Sequence, residues 1–219
     1  MEQKIVAETF VNNHPFERML DEGTCTQYQL QQWLCNRYAF QKTMVAKDAI
    51  VLEKCPLRSF RKIWIKRIYD ADDDNGGLEC WIKLGQACGV DVTDESRVYP
   101  ATRFAMESFL HWCHSVDWKV IVASSLSQLK ALENHRKKCT TWYTLYPWIE
   151  PNGLEYFLMR ITQVEEDSKA CLEFIKNANL PPEEIKAASK IKREIMTCLL
   201  DAVYASTVII PQTNHIKTA

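Results

Sequence analysis

Three features of the sequence predict an all-helical bundle of seven or eight helices. Apolar residues recur at three- and four-residue intervals through most of the chain, the period of helices with one buried face. Glycine is scarce, at six of 219 residues, and helix-forming residues dominate. Strand-like alternation is nearly absent before the C-terminal tail. A chain of this length with 47% hydrophobic residues can bury one sizeable core. Residues 1–207 therefore read as one domain, and 208–219 as a mobile tail.

The elements follow in order. Residues 3–12 predict a short helix. Asn13 or His14 can cap a second, which holds Pro15 in its first turn and ends at Gly23. The stretch from Thr24 to Cys55, free of Gly and Pro, predicts the long helix around which the rest is organised. Leu30, Trp33, Leu34, Met44, Val45, Val51 and Leu52 share its buried stripe, Thr26 caps its start and Pro56 stops it. Residues 58–72 form the next helix, with Phe60, Ile63, Trp64 and Ile68 inward and Ala71 one turn after Arg67. Asp70 to Gly77 then break the pattern. As a calcium loop this segment fails. Counted from Asp70, its sixth position is Asn75 and its twelfth Trp81; counted from Asp72, its twelfth is Lys83. It reads instead as a helix end, an acidic turn and a new N-terminus opened by two glycines. Residues 78–88 form a short helix ending at Gly89, and 90–100 a connection. Residues 101–115 carry Phe104, Phe109 and Trp112. Asp117 caps a helix running from 118 to about 142, with Val122, Leu126, Leu129 and Leu132 as its stripe. Residues 152–178 place Leu154, Phe157, Leu158, Ile161, Val164 and Leu172 inward. The last helix, 183–206, does so with Ile185, Ala188, Met196, Leu199 and Val203.

Composition excludes several classes. A net charge of −1 does not advertise nucleic acid or an anionic membrane as a partner. The densest basic site, His135 to Lys138, is too short for a nucleic-acid tail. No apolar run approaches the roughly 20 residues that span a bilayer, and the N-terminus lacks the apolar core of a signal peptide. Nine cysteines, without a CxxC pair and mostly inside helical patterns, read as reduced, buried thiols of a cytoplasmic protein.

The chemistry-bearing signal is polar groups inside apolar stripes. Arg37, Gln41 and Asp48 fall within the stripe of the long helix at about 100° per residue. Arg67 and Lys192 do the same on two further helices. A buried cation is costly unless it meets an anion. Internal salt bridges would satisfy these groups, and so would an anionic ligand in a pocket between helices. With Asp48 the one obvious buried acid, the excess of cations favours the ligand. Guanidinium groups match carboxylate and phosphate geometry. A second face of the 118–142 helix, Ser124, Gln128, Ala131, His135 and Lys138, suits either solvent or a cavity wall. His135 there could move protons near neutral pH. Cys139, one turn later, makes a Cys–His nucleophile conceivable but lacks a third orienting group. His111 and His114, with Glu107 one turn before, lack the further ligands of a metal site and read as surface or core.

The sequence resembles a known family at Asn13-His14-Pro15-Phe16 and at Gln29 to Trp33 with Asn36-Arg37-Tyr38 and Gln41. Further matches are Lys47-Asp48-Ala49, Trp64 to Ile68, Gly76 to Glu79, Leu84-Gly85 with Gly89, Arg103-Phe104-Ala105, Ser124-Ser125-Leu126 and Tyr146 to Ile149. These motifs, spread over residues 8–205, are similar to the PqqC-type pyrroloquinoline quinone synthases of the haem-oxygenase-like, TenA/PqqC superfamily. The resemblance implies a compact seven-helix, haem-oxygenase-like bundle, usually a homodimer. It implies an O₂-dependent oxidoreductase that ring-closes and oxidises a carboxylate-rich, quinone-like precursor with no metal or redox cofactor. It assigns Arg37, Gln41, Lys47, Arg67, Lys138 and Lys192 to substrate binding and His135 to proton handling beside the O₂ site. Lys138 stands for the family's arginine. Other positions depart: Ala71 replaces a catalytic histidine, Gln128 a glutamate, and Phe10 and Val11 a tyrosine–histidine pair. Leu154 and Leu158 are expected to replace the tyrosine and arginine of the O₂-handling core, turning that wall apolar. A metal-using branch of the fold carries a His-x3-Asp-x2-His motif; the region Thr162 to Cys171 has Asp167 but no histidine. Two alternatives stay open: a non-catalytic binding or protein-interaction protein, and a thiaminase-like hydrolase with Cys139 as nucleophile.

Overall fold

The computed structural model describes residues 14–209, and they contain helices but no strands. The expected helix over 3–12, Phe10, Val11 and most of the expected tail lie outside the described residues. The α-helices are α1 Pro15–Glu22, α2 Gln27–Lys54, α3 Arg58–Asp72, α4 Gly77–Ala87, α5 Pro100–Ser115, α6 Trp118–Ser124, α7 Gln128–Leu145, α8 Glu155–Asn177 and α9 Pro182–Tyr204. One π-turn, Ala205–Ile209, follows α9.

Local chemistry sets the boundaries. His14 caps α1, its Nδ1 accepting from the Phe16 amide at 3.1 Å, and Pro15 occupies the first turn, where its missing N–H costs nothing. Gly23 ends α1 in the left-handed region at φ 72°. Thr26 and Gln29 form a reciprocal capping box that starts α2. Gly76 is required by close approach: a Cβ there would lie 2.8 Å from the carbonyl oxygens of Asp70 and Ala71.

The long helix α2 is central, packing against α3, α4, α5, α6 and α9. Two aromatic clusters form around it. One joins Trp33, Trp81, Trp142, Tyr156 and Phe157, and the indole N–H of Trp81 donates to the Leu34 carbonyl at 3.1 Å. The other joins Phe60, Trp64, Phe109 and Trp118. Met44 and Ile195 pack against both.

Several expectations are corrected. The helix expected over 118–142 is broken. Ser124 Oγ donates to the Ile121 carbonyl at 2.6 Å and Ser127 Oγ to that of Ser124 at 2.9 Å, tightening Ser125–Ser127 into a 3₁₀ turn. Ile63 is exposed because α3 packs mainly against α2 and α4 and buries little beyond Phe60 and Trp64. Leu158 is also exposed, about 200° around α8 from buried Tyr156.

Candidate functional site

A cavity of about 230 Å³ opens beside the first aromatic cluster, walled by α1, α2, α3, α7, α8 and α9 with the start of α4. The expected site residues Arg37, Gln41, Arg67, His135, Lys138 and Lys192 line it. Lys47 does not. It is wholly buried beside the cavity, with Nζ 2.7 Å from Asp48 Oδ1 and donating to Ser125 Oγ at 2.8 Å. The polar face of α7 is cavity wall rather than solvated surface, since Gln128, Ala131, His135 and Lys138 all reach it.

The charges divide into a satisfied group and an open one. Asp48 binds Lys47 on one oxygen and accepts from Arg67 Nε at 3.3 Å on the other, while Arg67 also meets Asp167 at 2.7 Å. Burial works to raise the Asp48 carboxyl, but Arg67 and Lys47 outweigh it and hold the group below its usual range. The expected shortage of buried acids is thus half met from within: Asp167 supplies the carboxylate that periodicity did not show. Arg37 is different. Among the described residues its partners are the Met196 sulfur at 3.4 Å and the Phe40 ring at 4.4 Å, and burial pushes its guanidinium down to about 10, still charged at neutral pH. Arg160 donates to Gln163 at 2.7 Å, and its Nε is buried without a partner. Lys138 is 6% exposed, and among the described residues its counter-charges are Asp21, at 3.8 Å, and the more distant Glu17.

His135 sits among these cations with its ring against Tyr156 and Phe157 and its Nδ1 unpartnered. Burial, then Arg160, Lys138 and Arg37, push it down to about 2, so it is neutral at physiological pH. Beside it the Tyr156 hydroxyl accepts from Gln41 Nε2 at 2.7 Å.

Tyr156 and Arg160 correct the expectation of an apolar wall. Leu154 packs in the core and Leu158 faces outward, while Tyr156 and Arg160, with the same four-residue spacing, line the cavity with His135. The wall expected to be apolar therefore carries a tyrosine and an arginine, two residues further along than Leu154 and Leu158. The Tyr-x3-Arg pattern was the available signal; only the facing of α8 tells which pair points inward. Glu17 was also missed. It lines the cavity from α1, with Oε1 accepting from Asn134 at 3.4 Å, Oε2 unpartnered and its carboxyl raised by burial. The departures at Ala71 and Gln128 do line the cavity, and Gln128 Oε1 has no partner.

Other candidates fall away from it. Cys139 is half-buried outside the cavity wall and burial pushes its thiol up, the wrong direction for a nucleophile. His111 and His114 are exposed. All nine cysteines are free thiols. Among the described residues no group of three or more His, Cys, Asp or Glu side chains is placed to hold a metal ion, and no helix is long and apolar enough to cross a membrane.

A sequence model of the TENA/THI-4/PQQC family matches residues 3–198. The chain belongs to this family. Among its relatives, the pyrroloquinoline-quinone synthase of Acinetobacter baylyi is 32% identical over 94% of this chain and 84% of that protein. The synthase of Pseudomonas putida is 34% identical over 88% and 78%. A domain of unknown function from Shewanella denitrificans with a haem-oxygenase-like fold superposes with a TM-score of 0.72 at 16% identity, covering 93% of this chain and 90% of that one. The all-helical fold of this TENA/THI-4/PQQC member is therefore haem-oxygenase-like, as expected.

Proposed function

We propose that this PqqC-like chain binds a multiply carboxylated, quinone-like small molecule and oxidises it with O₂, without a metal or redox cofactor. The observation that carries the reading is the open half of the cavity: half-buried Arg37 and Arg160 and buried Lys138, short of counter-ions among the described residues, around a neutral His135 and the Tyr156 hydroxyl. Buried cations of this kind need anions, and carboxylates of a ligand supply them. Arg37 and Arg160 would each take a carboxylate, Lys138 would add charge, and Gln41 would hold Tyr156 toward the ligand. Arg67, committed to Asp48 and Asp167, would border the ligand rather than neutralise it. Lys47 would act only by fixing Asp48. Once the ligand's carboxylates offset the surrounding cations, unprotonated His135 would accept a proton from a ring carbon or nitrogen of the ligand as two electrons pass to O₂; that proton and a second released by the ligand would leave with the reduced oxygen as hydrogen peroxide. With Ala71 at the family's histidine position, proton transfer would fall on His135 and Tyr156. Exposed Ile63, Ile65 and Tyr69 on α3 fit the homodimer that the family resemblance implies, and the free thiols fit a cytoplasmic setting.

An anaerobic titration with pyrroloquinoline quinone and its ring-open precursor, followed by admission of O₂, tests this reading. Saturable binding and a new quinone absorption after O₂ are expected. Binding without turnover would leave a binding protein in place of an oxidase. No binding of either compound would overturn the reading and move the weight to a protein-interaction role.

A further inference from the structure

We infer that the side-chain amine of Lys192 is a nucleophile that condenses with a carbonyl group of the cavity's ligand to form an imine. This rests on the proposed reading of the cavity as the site of a carbonyl-bearing anion, and it adds a covalent attachment point. The three buried lysines of the region differ in what they touch. Lys47 is held by Asp48 and Ser125, and it does not reach the cavity. Lys138 lines the cavity but faces Asp21 at 3.8 Å and lies 5.7 Å from the Trp142 ring centre. Lys192 lines the cavity at 6% exposure and forms no hydrogen bond or ion pair among the described residues. Asp48, the acid that would pair with it, is already committed to Lys47 and Arg67.

An ammonium ion buried without a counter-ion is unstable, and the inexpensive alternative is loss of its proton. Burial, reinforced by the charges of Lys47 and Arg67, moves Lys192 well below the ordinary lysine range. A neutral amine in a closed, cation-lined site is the arrangement that activates lysine toward carbonyls. Arg37 and Arg160 remain to dock the ligand's carboxylates, so Lys192 is not needed as a counter-ion. The step balances without an external oxidant. The nitrogen lone pair attacks the carbonyl carbon, and the C=O π pair moves to oxygen. The two N–H protons then leave with that oxygen as water, and a C=N bond remains.

The test uses glyoxylate, a small anionic aldehyde, with limiting cyanoborohydride at pH 7 on the whole protein. Hydride adds to the imine carbon and fixes the adduct as a secondary amine, which peptide mass mapping locates. An ordinary lysine is neutral in roughly one molecule in 2,500 at this pH. Lys192 is therefore expected to take up label at least about tenfold faster than any other lysine, allowing for restricted access. The Lys192→Arg protein, with an unchanged circular dichroism spectrum, should lose that fast phase. Preloading with pyrroloquinoline quinone should suppress it. Fast labelling that the quinone does not suppress would uphold the nucleophile and sink the quinone-pocket reading. Labelling of Lys192 no faster than surface lysines, or a fast phase that survives in Lys192→Arg, would overturn the inference whether or not the quinone binds.

Discussion

Replacing Asp48 by asparagine removes the carboxylate that joins two buried cations while keeping its shape. In the wild-type protein Asp48 lies 2.7 Å from Lys47 Nζ and 3.3 Å from Arg67 Nε, and its side chain is 5% exposed. Loss of one partner from a buried pair costs about 3–5 kcal/mol, because the remaining charge is stranded. Arg67 retains Asp167 and Lys47 retains its hydrogen bond to Ser125, which places the expected loss near the lower end, about 3 kcal/mol. Urea denaturation at pH 7 reads this as a lowered midpoint with an unchanged slope. The pH dependence gives a second check. Asp48 is held below its unfolded value, so its contribution is complete above about pH 5 and is lost as pH falls through the depressed folded value. The gap between wild type and Asp48→Asn should be constant above that pH and narrow below about pH 4. Adding Lys47→Met should recover at least about 1 kcal/mol, since the stranded charge is removed with it. A loss below about 1 kcal/mol, or strict additivity in the double variant, would refute the account of a network held by one carboxylate.

Further expectations follow from the same geometry. Arg37→Met should weaken binding of pyrroloquinoline quinone roughly 10- to 150-fold by titration, the value of a lost charged hydrogen bond. Nuclear magnetic resonance of ring-labelled histidine should show His135 neutral from pH 8 down to near pH 3; a midpoint near 6.5 would mean that water reaches the ring. Because the unfolded chain takes up that proton first, His135 also makes the native state lose stability as pH falls below about 6.5. Leu158→Ala should change stability by less than about 0.5 kcal/mol and leave binding unaltered, whereas Arg160→Met should impair binding; the reverse result would restore the original register on α8. Gly153→Ala should cost about 1–3 kcal/mol in thermal unfolding, because its Cβ would sit 2.4 Å from that of Ala87.

Much of the cavity was legible because polar residues in apolar stripes are rare enough to notice. Arg37, Gln41, Arg67 and Lys192 were found that way, and all four reach the cavity. Lys47 was not distinguishable from them by period, and only its two partners show that it braces Asp48. The acids were harder. Asp167 and Glu17 sit among solvated charges in sequence, and nothing local marks them as inward.

The sequence by itself determined the helices, most of their ends and the excess of buried cations, because caps, breakers and the 3.6-residue period act over a few neighbouring residues. Only the tertiary structure decided which of those cations are already neutralised and which remain open to a ligand. It likewise decided that α8 presents Tyr156 and Arg160 rather than Leu154 and Leu158 to the cavity. Both depend on how a helix is rotated against its neighbours, and that rotation is set by the packing of the whole bundle, through residues such as Trp81, Trp142 and Phe157 that lie far apart in the chain.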